Sequence, residues 1–137
     1  MSPARSSTLR CLLIAGSDID PAAIALAREN LRAAGLAAEA VRFDTVDAAD
    51  ATPPWPAAGV IVSNPPYNER VPIAIDHWRA IGATLRNRYG GWRALLLTSD
   101  RGLPGQLGLR ERRKTPLFNG AIECRLFEFE MRMRAAG

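Results

Sequence analysis

Histidine occurs once in 137 residues, as His77, which excludes a metal site built on several imidazoles. Cysteine occurs twice, as Cys11 and Cys124, both in strand-like apolar stretches. A thiolate metal site would need more ligands close by, so both are expected to be reduced core residues of a cytoplasmic protein. No apolar run approaches the roughly 20 residues that span a bilayer. Met1 to Ser7 has no apolar region of signal-peptide type behind it, because the next apolar stretch runs into acidic residues. Internal repeats are also lacking.

What is present is ordinary for a globular domain: 47% hydrophobic and 23% charged residues, in a chain long enough for one real core. The net charge of +4 and pI of about 9.8 permit a polyanionic partner such as RNA without establishing one. The one dense basic run, Arg110, Arg112, Arg113 and Lys114, reads first as a solvated strand edge.

Residues 1–9 are polar and are expected to form a flexible segment ahead of a domain spanning 10–137. Arg10 to Ala15 reads as a buried parallel strand. Asp20 suits an N-cap and Pro21 the first helical position. Ile24, Ala27, Leu31 and Ala34 then mark a helical stripe. Gly35 stops the helix, with Leu36 placed for the accompanying apolar contact. A strand over Ala38 to Phe43, one helical turn in the Ala/Asp-rich stretch after it and a surface linker at Thr52 to Pro56 follow. Gly59 to Val62 is the next strand, and a helix over Ile73 to Tyr89 presents Ile75, Trp78, Gly82, Leu85 and Tyr89 on one side. Trp92 to Thr98 is another buried strand, and any helix in the Gly-rich stretch Asp100 to Leu109 is short. Asn119-Gly120 between extended runs over Arg112 to Phe118 and Ala121 to Met133 signals a tight hairpin. The pattern predicts an α/β fold: a mostly parallel sheet with helices on both faces and a C-terminal antiparallel hairpin.

In such sheets ligands bind beyond the C-terminal ends of the strands. Asp18, Asp47 and the stretch Asn64-Pro65-Pro66-Tyr67 all fall there. Neither proline has an N–H and each has a fixed φ, so this turn is stiff and its carbonyls stay free to accept. The Asn64 side chain adds an acceptor and Tyr67 a flat apolar face. Rigid acceptors beside a stacking platform suit a planar group bearing an NH2, such as a nucleobase.

Four stretches carry a resemblance to a known family: Gly16 to Pro21, Phe43 to Ala48, Ser63 to Arg70 and Leu117 to Cys124. The chain resembles the class I S-adenosylmethionine-dependent methyltransferases. Within them it is similar to the THUMP-associated group that methylates guanine N2 in large-subunit ribosomal RNA. The resemblance implies a Rossmann-like fold, S-adenosylmethionine as cofactor and ribosomal RNA as substrate. It implies that Asp18 accepts from the cofactor's ribose hydroxyls, that Ile19 packs on its adenine and that Asp47 accepts from the adenine amino group. A plain turn role competes at Asp47, with Asp44 and Asp50 nearby. It further implies that Asn64 and the Pro65 carbonyl accept the two hydrogens of the target amino group, with Pro66 stiffening the turn and Tyr67 stacking on the base. The catalytic motif is shared with adenine-N6 and protein glutamine methyltransferases; the hairpin sequence favours the ribosomal RNA group.

The family's first strand and Gly-rich loop belong ahead of residue 10, and the sequence there holds neither. The chain is therefore expected to be the C-terminal two-thirds of a catalytic domain, inactive alone, or an inactive remnant of one. Two strand edges are expected to be left open to each other, to a second copy or to another polypeptide.

Overall fold

In the computed structural model, which describes residues 13–66 and 73–133, the chain divides into two units, Met1–Ala48 and Ala49–Gly137. The flexible segment expected over 1–9, Cys11 and Tyr67 lie outside the described residues.

The first unit is one strand–helix–strand turn. β1 (Ala15–Asp18) and β2 (Arg42–Thr45) pair in parallel, joined through α1 (Pro21–Ala33). Asp20 caps the helix as its chemistry predicts: its Oδ1 accepts from the Ala22 N–H at 2.9 Å. Ile24 is buried on the inward stripe and Ala27 and Leu31 follow it half-buried, whereas Ala34 is exposed. Gly35, at φ 78°, ends the helix in the left-handed region. Gly35 and Leu36 donate to the carbonyls of Arg32 and Leu31, closing the helix end. Leu36 itself is 55% exposed.

Both strands lie further along than the apolar runs suggested. The strand expected over Arg10 to Ala15 begins only at Ala15, and Leu13 and Ile14 ahead of it are exposed. Pairing decides this. The ladder opens where Arg42 donates to the Ile14 carbonyl and runs to Asp18 opposite Thr45. Ala38 to Ala40, expected as strand, instead makes a 3₁₀ turn; alanine fits a pleated surface poorly. Asp44 is consequently a strand residue rather than a loop residue.

The second unit holds a four-stranded sheet in the order β3-β4-β6-β5. β3 (Val60–Ser63) and β4 (Arg93–Thr98) are parallel and joined through α2 (Ile75–Arg88). After α3 (Leu103–Leu107), β5 (Arg113–Asn119) and β6 (Ile122–Glu130) form the hairpin, with β6 antiparallel to β4. The parallel strands and the C-terminal antiparallel hairpin expected from the sequence are both present, divided between a two-stranded parallel sheet and a mixed four-stranded one. Both helices of this unit pack on one face of its sheet. Trp78 and Leu85 from α2 and Leu103 and Leu107 from α3 meet Ala94, Leu96, Phe127 and Phe129. Each large side chain buried there stabilises by about 1.5–3 kcal/mol. Cys124 is buried and forms no disulfide among the described residues.

The hairpin turn is displaced by one residue from expectation. Asn119 is the last paired residue of β5, opposite Ile122, and the loop is Gly120-Ala121. Gly120 takes φ 64° there, which suits a glycine at the first loop position.

On α2 the residues Trp78, Gly82, Leu85 and Tyr89 face inward as expected; Ile75, the first helical residue, is 58% exposed. Gly82 serves a contact that periodicity does not reveal. A Cβ at this position would lie 1.8 Å from the Leu107 carbonyl oxygen, so the missing side chain is what lets α3 lie against α2. Arg86 secures the same junction by donating to the Gly108 carbonyl at 2.9 Å. Thr84 donates to the Ala49 carbonyl, and Arg88 donates to the carbonyls of Asp50 and Ala51, so α2 also holds the start of the linker.

Two predictions follow from this packing. Gly82→Ala forces α3 off α2 and lowers stability by at least about 1–3 kcal/mol, read from the urea midpoint; an unchanged midpoint rejects the contact. Burial pushes the Tyr89 phenol above its ordinary value of about 10, against the opposing charge of Arg88. A raised folded-state value means that this group's contribution is complete below pH ~10 and is lost as pH rises through the folded value. Tyr89→Phe should therefore flatten the decline of the urea midpoint with pH in that range.

Candidate functional site

Each unit presents a polar strand end. In the first, β1 ends at Asp18. The Val46 N–H donates to the Asp18 carbonyl at 3.0 Å, locking together the two strand ends. Asp18 and Asp47, which follows Val46, therefore both fall at the C-terminal edge of this sheet. The Asp18 side chain is exposed, and its Oδ1 accepts from the Asp20 N–H at 2.8 Å. This turn bond uses one oxygen. The second oxygen has no donor among the described residues, so the carboxylate can still accept from a hydroxyl. Ile19, 64% exposed, offers an apolar face beside it. Asp47 is half-buried in the turn that leads into a short 3₁₀ helix at Ala48–Asp50. Of its competitors, Asp44 pairs with Arg42 at 3.4 Å within β2 and is committed there.

These features fit a ribonucleoside held by its sugar and base. A carboxylate oxygen without a partner among the described residues, an exposed branched apolar side chain and a second carboxylate all fall at the C-terminal edge of this sheet. The sequence contains no Gly-x-Gly run ahead of them.

In the second unit, β3 delivers Asn64-Pro65-Pro66 at its C-terminal end, directly after Ser63. Asn64 and Pro66 are exposed and Pro65 is half-buried. Neither the Asn64 side chain nor the Pro65 carbonyl takes a hydrogen bond from another described residue, which leaves two acceptors open. The neighbouring strand β4 runs on from Leu96, the partner of Ser63, to Thr98. Thr98 is buried, and its Oγ1 accepts from the Asp100 N–H at 3.0 Å. Asp100 in turn accepts from the Gly102 N–H at 2.8 Å and from the Gln106 side chain at 2.7 Å. This network was not foreseen from the sequence. It stiffens the strand end beside the motif and consumes the Asp100 carboxylate.

The basic run is divided by the structure. Arg112 donates to Glu130 at 2.6 Å and lies 3.9 Å from Glu128, so it is a strand-edge ion pair. Arg110, Arg113 and Lys114 are exposed.

The family described as "RMKL-like, methyltransferase domain" matches residues 3–128. A ribosomal RNA large subunit methyltransferase K/L from Shewanella frigidimarina is 40% identical over 119 residues, covering 84% of this chain and 16% of that protein. The protein of the same name from Methylococcus capsulatus is 42% identical over 121 residues, covering 86% and 16%. The chain thus spans about a sixth of the length of these relatives. Among solved structures, SMU.472, assigned as a methyltransferase and solved with SAH, superposes with a TM-score of 0.78 at 27% identity, covering 89% of this chain and 32% of that one. A predicted N6-adenine-specific DNA methylase from Listeria monocytogenes gives 0.72 at 27% identity, covering 86% and 30%.

The two roles of Asp18 separate by substitution. Asp18→Asn keeps an acceptor for the Asp20 N–H and should unfold like the parent. Asp18→Ala removes it and should cost about 0.5–1.5 kcal/mol of stability in thermal unfolding. Equal midpoints for the two variants would show that the turn bond contributes nothing.

Proposed function

Because the chain belongs to the RMKL-like methyltransferase domain family, we propose that it carries the acceptor site and part of the donor site of an S-adenosylmethionine-dependent RNA methyltransferase. Its target is an exocyclic amino nitrogen of a base in large-subunit ribosomal RNA, the substrate in the relatives' names, with guanine N2 the assignment that the hairpin sequence favours. The observation that carries this reading is the pair of open acceptors, the Asn64 amide oxygen and the Pro65 carbonyl, held on a proline-stiffened turn at a strand end.

The cofactor supplies a methyl group on a positively charged sulfur. Asp18 holds its ribose through the free carboxylate oxygen, Ile19 covers one face of its adenine, and Asp47 accepts from the adenine amino group. The remaining work belongs to the acceptor residues. An amino nitrogen on a base is a weak nucleophile because its lone pair is delocalised into the ring. Asn64 and Pro65 accept its two hydrogens, which draws the nitrogen toward tetrahedral geometry and turns the lone pair out of the ring. The same oxygens face the positive charge that develops on the nitrogen, and they are already in place when it appears. The proton the nitrogen loses leaves along these bonds to water. Pro66 keeps the turn from relaxing, because its ring fixes φ. Tyr67 is the stacking surface for a base that has been turned out of its RNA.

By the family resemblance, the donor site also needs a Gly-rich loop, which this sequence does not contain. Residues 1–137 alone should therefore bind S-adenosylmethionine only weakly and turn over no RNA. Calorimetric titration checks this, and micromolar affinity would overturn it. In a longer polypeptide that carries these residues and transfers methyl groups, Asn64→Ala should lower the transfer rate by about 10²–10³ while cofactor affinity stays the same. Loss of cofactor affinity as well would make Asn64 a structural turn residue. Nucleoside analysis of the product distinguishes methylated guanine from methylated adenine.

A further inference from the structure

The β5–β6 hairpin reaches past the sheet that carries it. β4 ends at Thr98, whose partner on β6 is Arg125. Ile122, Glu123 and Cys124, paired with Asn119, Phe118 and Leu117, lie beyond that point with no β4 residue beside them. At ~3.3 Å per residue this tip stands about 10 Å beyond β4. It extends from the edge at which β3 delivers Asn64, because β4 is parallel to β3 and both end there.

Cys124 at the base of this tip is buried, but the large apolar side chains around it are in water. Phe118 is 73% exposed, Leu117 42% and Ile122 43%. Directly paired residues share a face of the ladder, so Phe118 lies on one face with Glu123, then with Pro116 and Arg125, then with Lys114. Lys114 and Arg125 have no acidic partner among the described residues, whereas Arg112, two residues from Lys114, is held by two carboxylates. A flat ring at the end of a strand, backed by two uncommitted cations on its own face, is how proteins hold an unpaired nucleic-acid strand: stacking for the bases and charge for the backbone. Glu123 opposite the ring disfavours a phosphate at the tip itself and can accept from the N–H groups of a base stacked there. The phosphates are thereby directed toward Arg125 and Lys114.

We propose that the hairpin tip is a second RNA contact, in which Phe118 stacks on an unpaired base flanking the target nucleotide while Arg125 and Lys114 neutralise the adjoining phosphates. The proposal rests on the RNA-methylation reading for the identity of the strand, but its test does not need turnover.

The test is fluorescence anisotropy of an end-labelled single-stranded RNA with the full chain, repeated over a salt series. Phe118→Ala should weaken binding about 5- to 150-fold, the range of one lost base stack, and Phe118→Trp should retain it. Lys114→Ala with Arg125→Ala should flatten the salt dependence by about 0.7 in log–log slope per cation removed. The thermal midpoint of Phe118→Ala should match the parent's, because the ring is already in water, so a loss of binding does not report unfolding. Equal affinity of the Phe118→Ala variant, or no RNA binding by the parent, overturns the proposal. So does a sedimentation result in which the parent is a dimer that Phe118→Ala dissociates, for the tip would then be an interface between copies. If binding depends on Phe118 but the cofactor titration and methyl transfer fail in the longer polypeptide, the hairpin contact stands and the methylation reading falls.

Discussion

Parallel pairing is the constraint on which the rest of this structure depends. Parallel strands cannot be joined by a tight turn, so the chain must return through a crossover, and both strands then finish at the same edge. This happens in β1–β2 and again in β3–β4. The residues that leave those strands are gathered by topology alone: Asp18 beside Val46 and Asp47 in one unit, Asn64 to Pro66 beside Thr98 to Asp100 in the other. Polar side chains are tolerated there because the ladder has ended and water is available, and their backbone is held by short local bonds. The acidic edge and the acceptor edge are two instances of one arrangement.

The antiparallel hairpin breaks that pattern and adds two things. Reversing direction next to β4 lets β6 bring Phe127 and Phe129 against α2 and α3, which completes a core that two parallel strands could not fill. It also points the loop of the hairpin toward the edge where the parallel strands end. The core side of this arrangement is tight, as the approach of the Leu107 carbonyl to Gly82 shows. The tip side is open.

Local chemistry was readable wherever a residue acts on its own neighbours. Asp20 before Pro21, Gly35 after the first helix and the inward stripe of Trp78, Gly82 and Leu85 needed no knowledge of the fold. The position of Asn64 to Pro66 at a strand end was readable for a related reason, since a proline turn after an apolar run is defined within a few residues. What failed required partners distant in sequence. β1 begins at Ala15 because β2 sets its register, not because Leu13 and Ile14 are less apolar than Ala15. Ala38 to Ala40 looked extended only while its neighbours were unknown. Asn119-Gly120 marked the turn, but the ladder closes one residue later, at Asn119 opposite Ile122. Why residue 82 is glycine could not be seen until Leu107 lay over it. The exposure of Phe118 was likewise hidden, because an aromatic in a strand reads as core until the length of the neighbouring strand is known.

The two-residue loop at Gly120-Ala121 has a consequence in time. β5 and β6 are adjacent in sequence, so closing their ladder costs the least chain entropy of any strand pairing here; β1–β2, β3–β4 and β4–β6 must each wait for a long intervening segment. The hairpin is thus the first part of either sheet that the chain can form, and β4 docks onto a template already made. Changes to side chains at its tip leave that early step alone, whereas replacing Gly120 delays it. The order of events keeps recognition and folding separable in an element that serves both.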